Sequence, residues 1–263
     1  MQDKTNRPSE TNNRENNNEL IIGRNALLEA LKSERAIDTV LVARGERNGS
    51  ISRILSQCKE RQIVVKEVDK RKLDFMCGQG NHQGVAAYVS AHEYSSVDEI
   101  LAYAKERGED PFIIVCDELE DPHNLGAIIR TAETTGVHGV IIPKRRTASL
   151  TWAVGKSSAG ALEYVKVARV TNLSSTIEEL RDKGSWVYTA DMDGQNWCEV
   201  DYAGGVVLVI GSEGHGVSRL IKEKSDFRVS LPMQGHITSL NASVAAGILM
   251  YEVARQRNGI KAK

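Results

Sequence analysis

Three short segments of the sequence hold polar residues in patterns that a purely structural role explains poorly. The first, Asp121-Pro-His-Asn-Leu-Gly-Ala-Ile-Ile-Arg130, directly follows a predicted strand. Asn124 stands where a helix N-cap is expected, and Arg130 lies about one and a half turns further on. A cap followed by a solvated arginine explains Asn124 well. It explains Arg130 less well, because Ile128 and Ile129 precede it and Ala132 follows.

The second segment, Val209-Ile-Gly211-Ser-Glu213-Gly-His-Gly216-Val, also follows a predicted strand. Its glycines allow a ligand to approach the backbone closely. Their order, Gly-x-x-Gly-x-Gly, differs from the dinucleotide-binding fingerprint Gly-x-Gly-x-x-Gly. A simple turn is an equally good explanation of the glycines alone. The carboxylate of Glu213 inside the loop is what favours a functional site.

The third segment, Leu231-Pro-Met-Gln-Gly-His-Ile-Thr-Ser239-Leu-Asn241, precedes the last predicted helix. Ser239 or Asn241 can be the N-cap of that helix, which is the structural explanation. The same cluster also directs backbone donors and a side-chain amide at one point. Each segment taken alone leaves the structural explanation ahead of the functional one.

The elements that must position these segments alternate between strand and helix, which predicts an α/β layer fold. Short runs, apolar on both faces, predict a buried parallel sheet with strands at Phe112–Cys116, Gly139–Ile142, Trp186–Ala190, Val206–Ile210 and Arg228–Leu231. Predicted helices include Leu125–Thr135, one from about Ser175 to Lys183 and one from Asn241 to about Arg257. The last helix is nearly all apolar through Tyr251, so we expect it to be packed.

The chain before these elements divides into a polar tail at 1–18, a small α/β domain at 19–92 and a linker at 93–95, leaving 96–263 as the larger domain. The small domain has predicted helices from Asn25 to Leu31 and from Ser50 to Arg61, and predicted strands between them and after them. Ser96 and Glu99 form a capping box that opens the next helix. Residues 19–92 carry 12 basic and 9 acidic residues. This mild excess is compatible with RNA contact and with an ordinary solvated surface.

Composition excludes several classes of protein. The 263 residues are 41% hydrophobic and 26% charged with a net charge of −1, an ordinary globular composition. No apolar run is long enough for a membrane span and no secretory leader precedes the first domain, so we expect a cytoplasmic protein. The four cysteines are scattered without a Cys-x-x-Cys pair, which predicts buried thiols and no metal site.

Taken together, the three segments resemble the signature of the SpoU (TrmH-type) family, the RNA 2′-O-ribose methyltransferase branch of the SPOUT superfamily, over roughly residues 110–257. Residues 19–92 resemble the substrate-binding domain of the family's enzymes that methylate a guanosine of 23S ribosomal RNA, a domain related to kink-turn-binding ribosomal proteins. The resemblance implies a parallel-sheet domain with a C-terminal trefoil knot. It also implies S-adenosylmethionine as methyl donor, RNA as substrate, and a homodimer whose active site spans both chains.

Roles follow from the resemblance by residue. Gly211, Leu231 and Leu240 would line the adenosine pocket, with Thr189 near it. Asn124, Glu213, Ser239 and Asn241 would form a polar cage that positions Arg130 and the substrate. Because a guanidinium is not normally deprotonated in proteins, we expect Arg130 to hold the phosphate beside the ribose and not to act as a base. Two alternatives remain open: a tRNA ribose methyltransferase, and an RNA-binding or assembly protein without catalysis.

Overall fold

The computed structural model describes residues 20–32, 36–47, 49–78, 80–90 and 92–260. The chain divides into two compact units, Met1–Ala91 and His92–Lys263, each with its own hydrophobic core. The polar tail expected at 1–18 lies outside the described residues.

The described part of the first unit is a mixed four-stranded sheet with helices on both faces. Its elements are β1 (Leu20–Ile22), α1 (Arg24–Lys32), β2 (Ile37–Ala43), α2 (Ser50–Glu60), β3 (Val64–Val68), α3 (Lys70–Met76) and β4 (Val85–Val89). The strand order is β1-β4-β2-β3, in which only β2 and β3 are parallel. Alternate residues of β2 point to opposite faces, so Val40 and Val42 pack with α1 and α2, while Leu41 and Ala43 pack with α3.

The second unit is built on a six-stranded sheet. Its elements are α4 (Val97–Glu106), β5 (Phe112–Cys116), α5 (Pro122–Thr134), β6 (Gly139–Pro143), α6 (Trp152–Ser157), β7 (Lys166–Val170), α7 (Leu173–Asp182), β8 (Ser185–Asn196), β9 (Gly205–Ile210), α8 (Arg219–Lys224), β10 (Phe227–Ser230) and α9 (Ala242–Arg257). Short 3₁₀ helices at Ala161–Glu163 and Trp197–Glu199 complete it. The order is β10-β8-β9-β5-β6-β7, and every pairing is parallel. The α/β fold with a parallel sheet predicted from the sequence is therefore confirmed.

The central strands are buried because both faces of the sheet are covered. One face packs against α5 and α9, and the other against α4, α7 and α8. In β5 and β9 every residue is buried, which explains their continuous apolar runs. Cys116 pairs with Ile210 at the ends of these two strands. The loops that follow β5 and β9 therefore leave the sheet side by side at its carboxyl edge.

Several elements differ from the expectation. The strand β7 was not predicted; it lies at the sheet edge and is only partly buried. The strand β8 continues to Asn196 instead of ending at Ala190. The expected linker residues Tyr94 and Ser95 pack on the second unit: the Tyr94 hydroxyl accepts from the backbone N–H of Leu150 at 3.1 Å, and Ser95 pairs with β7.

Within the described chain, the final helix α9 is packed along one side, as expected, and exposed along part of the other. Its buried residues include Ala246, Leu249 and Val253, whereas Val244 and Tyr251 are 50% and 57% exposed. An apolar face of α9 therefore has no cover within the described chain. Among the described residues, no helix is long and apolar enough to cross a membrane.

Candidate active site

Three polar side chains from the three segments meet at the carboxyl edge of the parallel sheet. Asn124 lies in the first turn of α5, Glu213 in the loop after β9, and Asn241 at the start of α9. The Asn124 amide donates to Glu213 Oε1 at 2.9 Å, and the Asn241 amide donates to Asn124 Oδ1 at 2.9 Å. Asn241 also donates to Glu213 Oε1. We call these three residues the amide–carboxylate cluster.

The N-caps of α5 and α9 explain how Asn124 and Asn241 can direct their amides into the cluster. Asp121, not Asn124, is the N-cap of α5: its carboxylate accepts from the backbone N–H of His123 at 2.9 Å, and Pro122 occupies the first helical position. The expected cap at Asn124 was wrong, since Pro122 lacks an N–H and is favoured at the start of a helix. Asn124 is 6% exposed and can turn its amide to Glu213. Asn241 does cap α9, with its oxygen accepting from the backbone N–H of Ser243 at 3.0 Å.

Glu213 lies at the tip of a tight loop. The backbones of Ser212 and Gly216 exchange two hydrogen bonds, of 3.2 and 2.8 Å, which close the loop around the intervening residues. Buried Asp117 anchors its base by accepting from the backbone N–H of Ser218 at 2.7 Å. Within the described residues, Glu213 Oε2 has no hydrogen-bond partner, so one oxygen of this exposed carboxylate is free for a ligand.

Gly211 is required by this loop more than by the cavity beside it. A Cβ at this position would lie 2.0 Å from the carbonyl carbon of Gly216 and 2.2 Å from the nitrogen of Val217. Real Cβ atoms do not approach backbone atoms so closely, and any side chain would force the loop open. A larger residue at Gly211 would therefore disrupt the loop directly and not simply fill the cavity.

A cavity of about 320 Å³ opens beside the cluster. Apolar side chains line it, among them Ile210, Leu231, Leu240 and Leu249, together with the backbone of the Gly211–Gly216 loop. Ser239, Glu213 and Ala245 also border it. Ligand sites in proteins typically measure about 300–1,000 Å³ and combine apolar walls with a few polar groups. The cavity therefore has the size and lining of a small-molecule site, and three residues expected at the donor, Gly211, Leu231 and Leu240, lie on it.

A break in strand pairing shapes one wall of the cavity. The register between β8 and β10 shifts after Arg228, which pairs with Thr189, because the next residue, Val229, pairs with Gln195. The residues of β8 directly after Thr189 leave the pairing with β10, and Ala190, Asp191 and Met192 border the cavity, whereas Gly194 again lies against the β10 backbone. The Thr189 side chain itself is fully buried and its hydroxyl contacts Ser225. The sequence expectation placed Thr189 at the strand end, but the bulged continuation of the strand provides the wall.

The sequence reasoning missed one charged pair at this cavity. Lys222 Nζ lies 2.9 Å from Asp191 Oδ2, and the Asp191 side chain is only 10% exposed. Both residues line the cavity. Neither stands in a recognisable motif, and the bulge in β8 brings them together across a long sequence separation. The only local signal is an acidic residue directly after an apolar strand.

Arg130 does not join the cluster within one chain. It is exposed, and within the described residues its guanidinium forms no ion pair and no hydrogen bond. Six helical residues separate it from Asn124, which is about 9 Å along the axis and about 240° around it. The polar cage expected around Arg130 is therefore not formed within a single described chain. Ser239, likewise exposed, borders the cavity without a hydrogen bond to the cluster.

The thiols divide into two groups. Cys58, Cys77 and Cys116 are buried as expected, and burial raises the pKa of Cys58 to about 11 and that of Cys116 to about 12. Cys198 is exposed, which corrects the prediction that all four are buried. The described residues contain no group of three or more His, Cys, Asp or Glu side chains that could hold a metal ion.

Comparison with known proteins gives two family matches. Residues 111–251 match the model of the SpoU rRNA Methylase family. Residues 20–95 match a model described as RNA 2′-O ribose methyltransferase substrate binding. A relative from Bacillus subtilis (strain 168), YacO, which is assigned to the TrmH family of tRNA/rRNA methyltransferases, is 48% identical over 241 residues. That alignment covers 91% of this chain and 96% of YacO.

Two solved structures illustrate the similarity. The SpoU methyltransferase AviRb from Streptomyces viridochromogenes, in complex with the cofactor AdoMet, has a TM-score of 0.57 and 25% identity. The match covers 91% of this chain and 90% of AviRb. The TrmH/SpoU tRNA modifying enzyme of A. aeolicus has a TM-score of 0.52 and 32% identity. The match covers 57% of this chain and 76% of the A. aeolicus enzyme, so much of the present chain lies outside the match.

Proposed function

This chain belongs to the SpoU rRNA methylase family, and from that premise we propose that it methylates the ribose 2′-hydroxyl of a guanosine in 23S ribosomal RNA. Its activity as an RNA methyltransferase that uses S-adenosylmethionine follows from the family. The ribose position and the ribosomal target are our additions. The observation that carries the ribose position is the amide–carboxylate cluster at the edge of an apolar cavity, and the ribosomal target rests on the first unit.

The residues around the cavity fit the methyl donor. Leu231, Leu240 and Leu249 offer an apolar surface to an adenine ring, and backbone groups of the Gly211–Gly216 loop offer hydrogen bonds to its edge. Asp191 and Lys222 present one negative and one positive charge, which complement the ammonium and carboxylate of an amino acid. When bound, the donor supplies a methyl group made electrophilic by a sulfonium.

The cluster would hold the ribose that accepts this methyl group. The two amides fix Glu213 through Oε1 and leave Oε2 free to accept a hydrogen bond from a 2′-hydroxyl. The planar guanidinium of Arg130 is suited to a phosphate beside the ribose and to an oxygen that gains negative charge. Ser239, at the rim of the cavity, would contribute a hydroxyl to the same site.

Because Arg130 lies away from the cluster of its own chain, we propose that it serves the site of a second subunit in a homodimer. The uncovered face of α9 supports this arrangement. Val244, Gly247, Ile248 and Tyr251 recur at helical spacing along one side, and the ends of this stripe are exposed. The adjacent α5 carries Arg130 and packs against α9, where the Tyr251 hydroxyl lies 3.4 Å from Thr134 Oγ1.

The first unit supports a ribosomal target. Residues 20–95 match a substrate-binding model, and the A. aeolicus tRNA modifying enzyme covers only 57% of this chain. A substrate with more structure than one tRNA stem would engage the additional unit. The trefoil knot expected for the family stays a prediction.

The test is methylation in vitro followed by mapping. Full-length protein with S-adenosylmethionine labelled in its methyl group would be incubated with an unmodified 23S ribosomal RNA fragment and, separately, with unmodified tRNA. We expect label in the ribosomal RNA, in dinucleotides that resist alkali, since a 2′-O-methyl group blocks cleavage of the neighbouring phosphodiester. Label confined to tRNA, or label on a base, would overturn the proposed acceptor.

A further inference from the structure

The helix α3 of the first unit carries an aromatic side chain that the fold does not use. Phe75 is 87% exposed, whereas Leu73 and Cys77 on the opposite side of the same helix are 0% and 5% exposed and anchor it to the sheet. We propose that Phe75 stacks on an unpaired base of the RNA substrate, with Lys70, Arg71 and Lys72 holding the adjoining phosphates. This inference rests on the proposed function and assigns the substrate-contacting face.

The three cations are free to bind phosphate. All are exposed, and within the described residues their side chains form no ion pair and no hydrogen bond. Arg71 and Lys72 precede Phe75 by four and three residues, so they lie on its side of the helix. The first unit's Arg47 differs, because it is paired with Glu67 at 3.2 Å. Arg44 adds a further exposed cation nearby, since its backbone N–H bonds to Val68 just before α3 begins.

Fold stability does not account for this arrangement. The first turn of α3 contains three basic residues, and the only acidic residue at this end of the helix is its N-cap Asp69, so the cations lie where positive charge is unfavourable relative to the helix dipole. An exposed phenyl ring gains nothing from folding. Both features become favourable against single-stranded RNA, which offers negative phosphates and bases with open faces. A paired helix offers only the phosphates, so unpaired RNA is the occupant that the residues favour.

The stacking role of the Phe75 ring can be tested by substitution in the full-length protein. Affinity would be measured by fluorescence anisotropy for a 12-nucleotide single-stranded oligouridine and for the 23S ribosomal RNA fragment. We expect Phe75→Ala to weaken binding by about 5- to 150-fold, the range for loss of one base–aromatic stack. Phe75→Tyr should bind like the wild type, because it keeps the ring. Equal affinity of the alanine and wild-type proteins for both RNAs would overturn the stacking role.

The proposed role of the three cations is tested by the salt dependence of RNA affinity. The triple variant Lys70→Gln, Arg71→Gln, Lys72→Gln should reduce the slope of log affinity against log salt by about 2 for single strands. Lys59→Gln, which removes an exposed lysine on α2, is the matched control and should leave the slope unchanged. An unchanged slope in the triple variant would contradict the assigned face.

The two proposals fail in distinguishable ways. Donor affinity, measured by calorimetry, should be the same in all these variants, since α3 belongs to the other unit. If wild-type protein methylates the ribosomal fragment and the α3 variants do so with unchanged KM, only the assigned face is wrong. If wild-type protein methylates no ribosomal fragment, the proposed target is wrong. Retention on phosphatidylserine vesicles, lost in Phe75→Ala while RNA affinity persists, would assign the surface to a membrane and overturn the inference.

Discussion

At the scale of single residues, the site separates side chains that are held from side chains that are free. Asn124 and Asn241 are held by hydrogen bonds to each other and to Glu213 Oε1. Glu213 Oε2 and the guanidinium of Arg130 have no partner within the described chain. Polar groups that the chain leaves without a partner are the ones available to substrate, so substitution should have different effects on the held and the free side chains.

Arg130→Ala should reduce methyl transfer by about 100-fold or more, the usual effect of removing one donor that stabilises developing charge. Donor affinity should not change, because the proposed role of Arg130 is toward the phosphate and ribose of the RNA and not toward the methyl donor. Arg130→Lys should be similarly impaired, since an ammonium cannot reproduce the planar fork of a guanidinium. Single-turnover kinetics and calorimetry on the same preparations measure both quantities. Near-normal turnover by the lysine variant would contradict the oriented-guanidinium role.

The cavity can be tested without disturbing the glycine loop. Ala245 borders it from α9, and leucine at this position keeps the helix while projecting into the cavity. Ala245→Leu should weaken binding of S-adenosylmethionine by about tenfold or more through overpacking. Ala245→Ser, which is close to alanine in size, is the control and should bind normally. Normal binding by a folded Ala245→Leu protein, checked by calorimetry and circular dichroism, would place the donor elsewhere.

At the scale of elements, the amino edge of the parallel sheet contains a buried titratable contact. His138 is 1% exposed; its Nδ1 accepts from the backbone N–H of Phe112 at 2.9 Å, and its Nε2 lies 3.0 Å from Glu109 Oε2. Burial is the largest influence and lowers the pKa of His138 below its usual 6.5, against an opposing effect of Glu109. The folded protein therefore resists protonation of this ring.

This predicts a pH dependence of stability. The unfolded chain takes up a proton at His138 as pH falls through about 6.5, before the folded chain does, so unfolding becomes easier below that pH. His138→Asn keeps an acceptor for Phe112 and removes the titration. It should cost about 1–2 kcal/mol at pH 7.5 through lost contacts, yet flatten the decline between pH 7.5 and 5.5.

Urea unfolding across that range measures the effect. His236→Asn, at an exposed histidine, should leave the slope of stability against pH as in the wild type. If His138→Asn declines as steeply as the wild type, His138 does not cause the pH dependence.

At the scale of the whole molecule, the proposed homodimer predicts which chain completes each active site. If Arg130 serves its partner's cavity, a heterodimer of Arg130→Ala and Ala245→Leu subunits contains one intact site and one doubly damaged site. Equal mixing with free subunit exchange should then restore about a quarter of wild-type activity, because half the dimers are mixed and each has one working site. With S-adenosylmethionine well below the Kd of the wild type, each variant alone should keep at most about a tenth of wild-type activity. No recovery after exchange, confirmed by mass spectrometry of the mixed dimers, would place Arg130 in its own subunit's site.

Much of this protein is determined locally by its sequence. The apolar runs at Phe112–Cys116 and Val206–Ile210 specify buried parallel strands, because only residues covered on both faces can be apolar throughout. The capping box at Ser96 is confirmed in the structure. The order of the three polar segments was enough to indicate the family. These features depend on neighbours within a few residues, where periodicity, caps and glycine conformation act.

Only the tertiary structure establishes the contacts that depend on strand order and register. Gly211 is required because Gly216 folds back against it, and Asp191 meets Lys222 because β8 bulges away from β10. Arg130 and Glu213 seemed partners from their motifs, yet a helix of fixed pitch carries Arg130 to another face. Such contacts join residues distant in the chain, and no local pattern encodes them. Only the assembled sheet, with its loops crowded at one edge, determines which polar groups meet and which remain free for RNA.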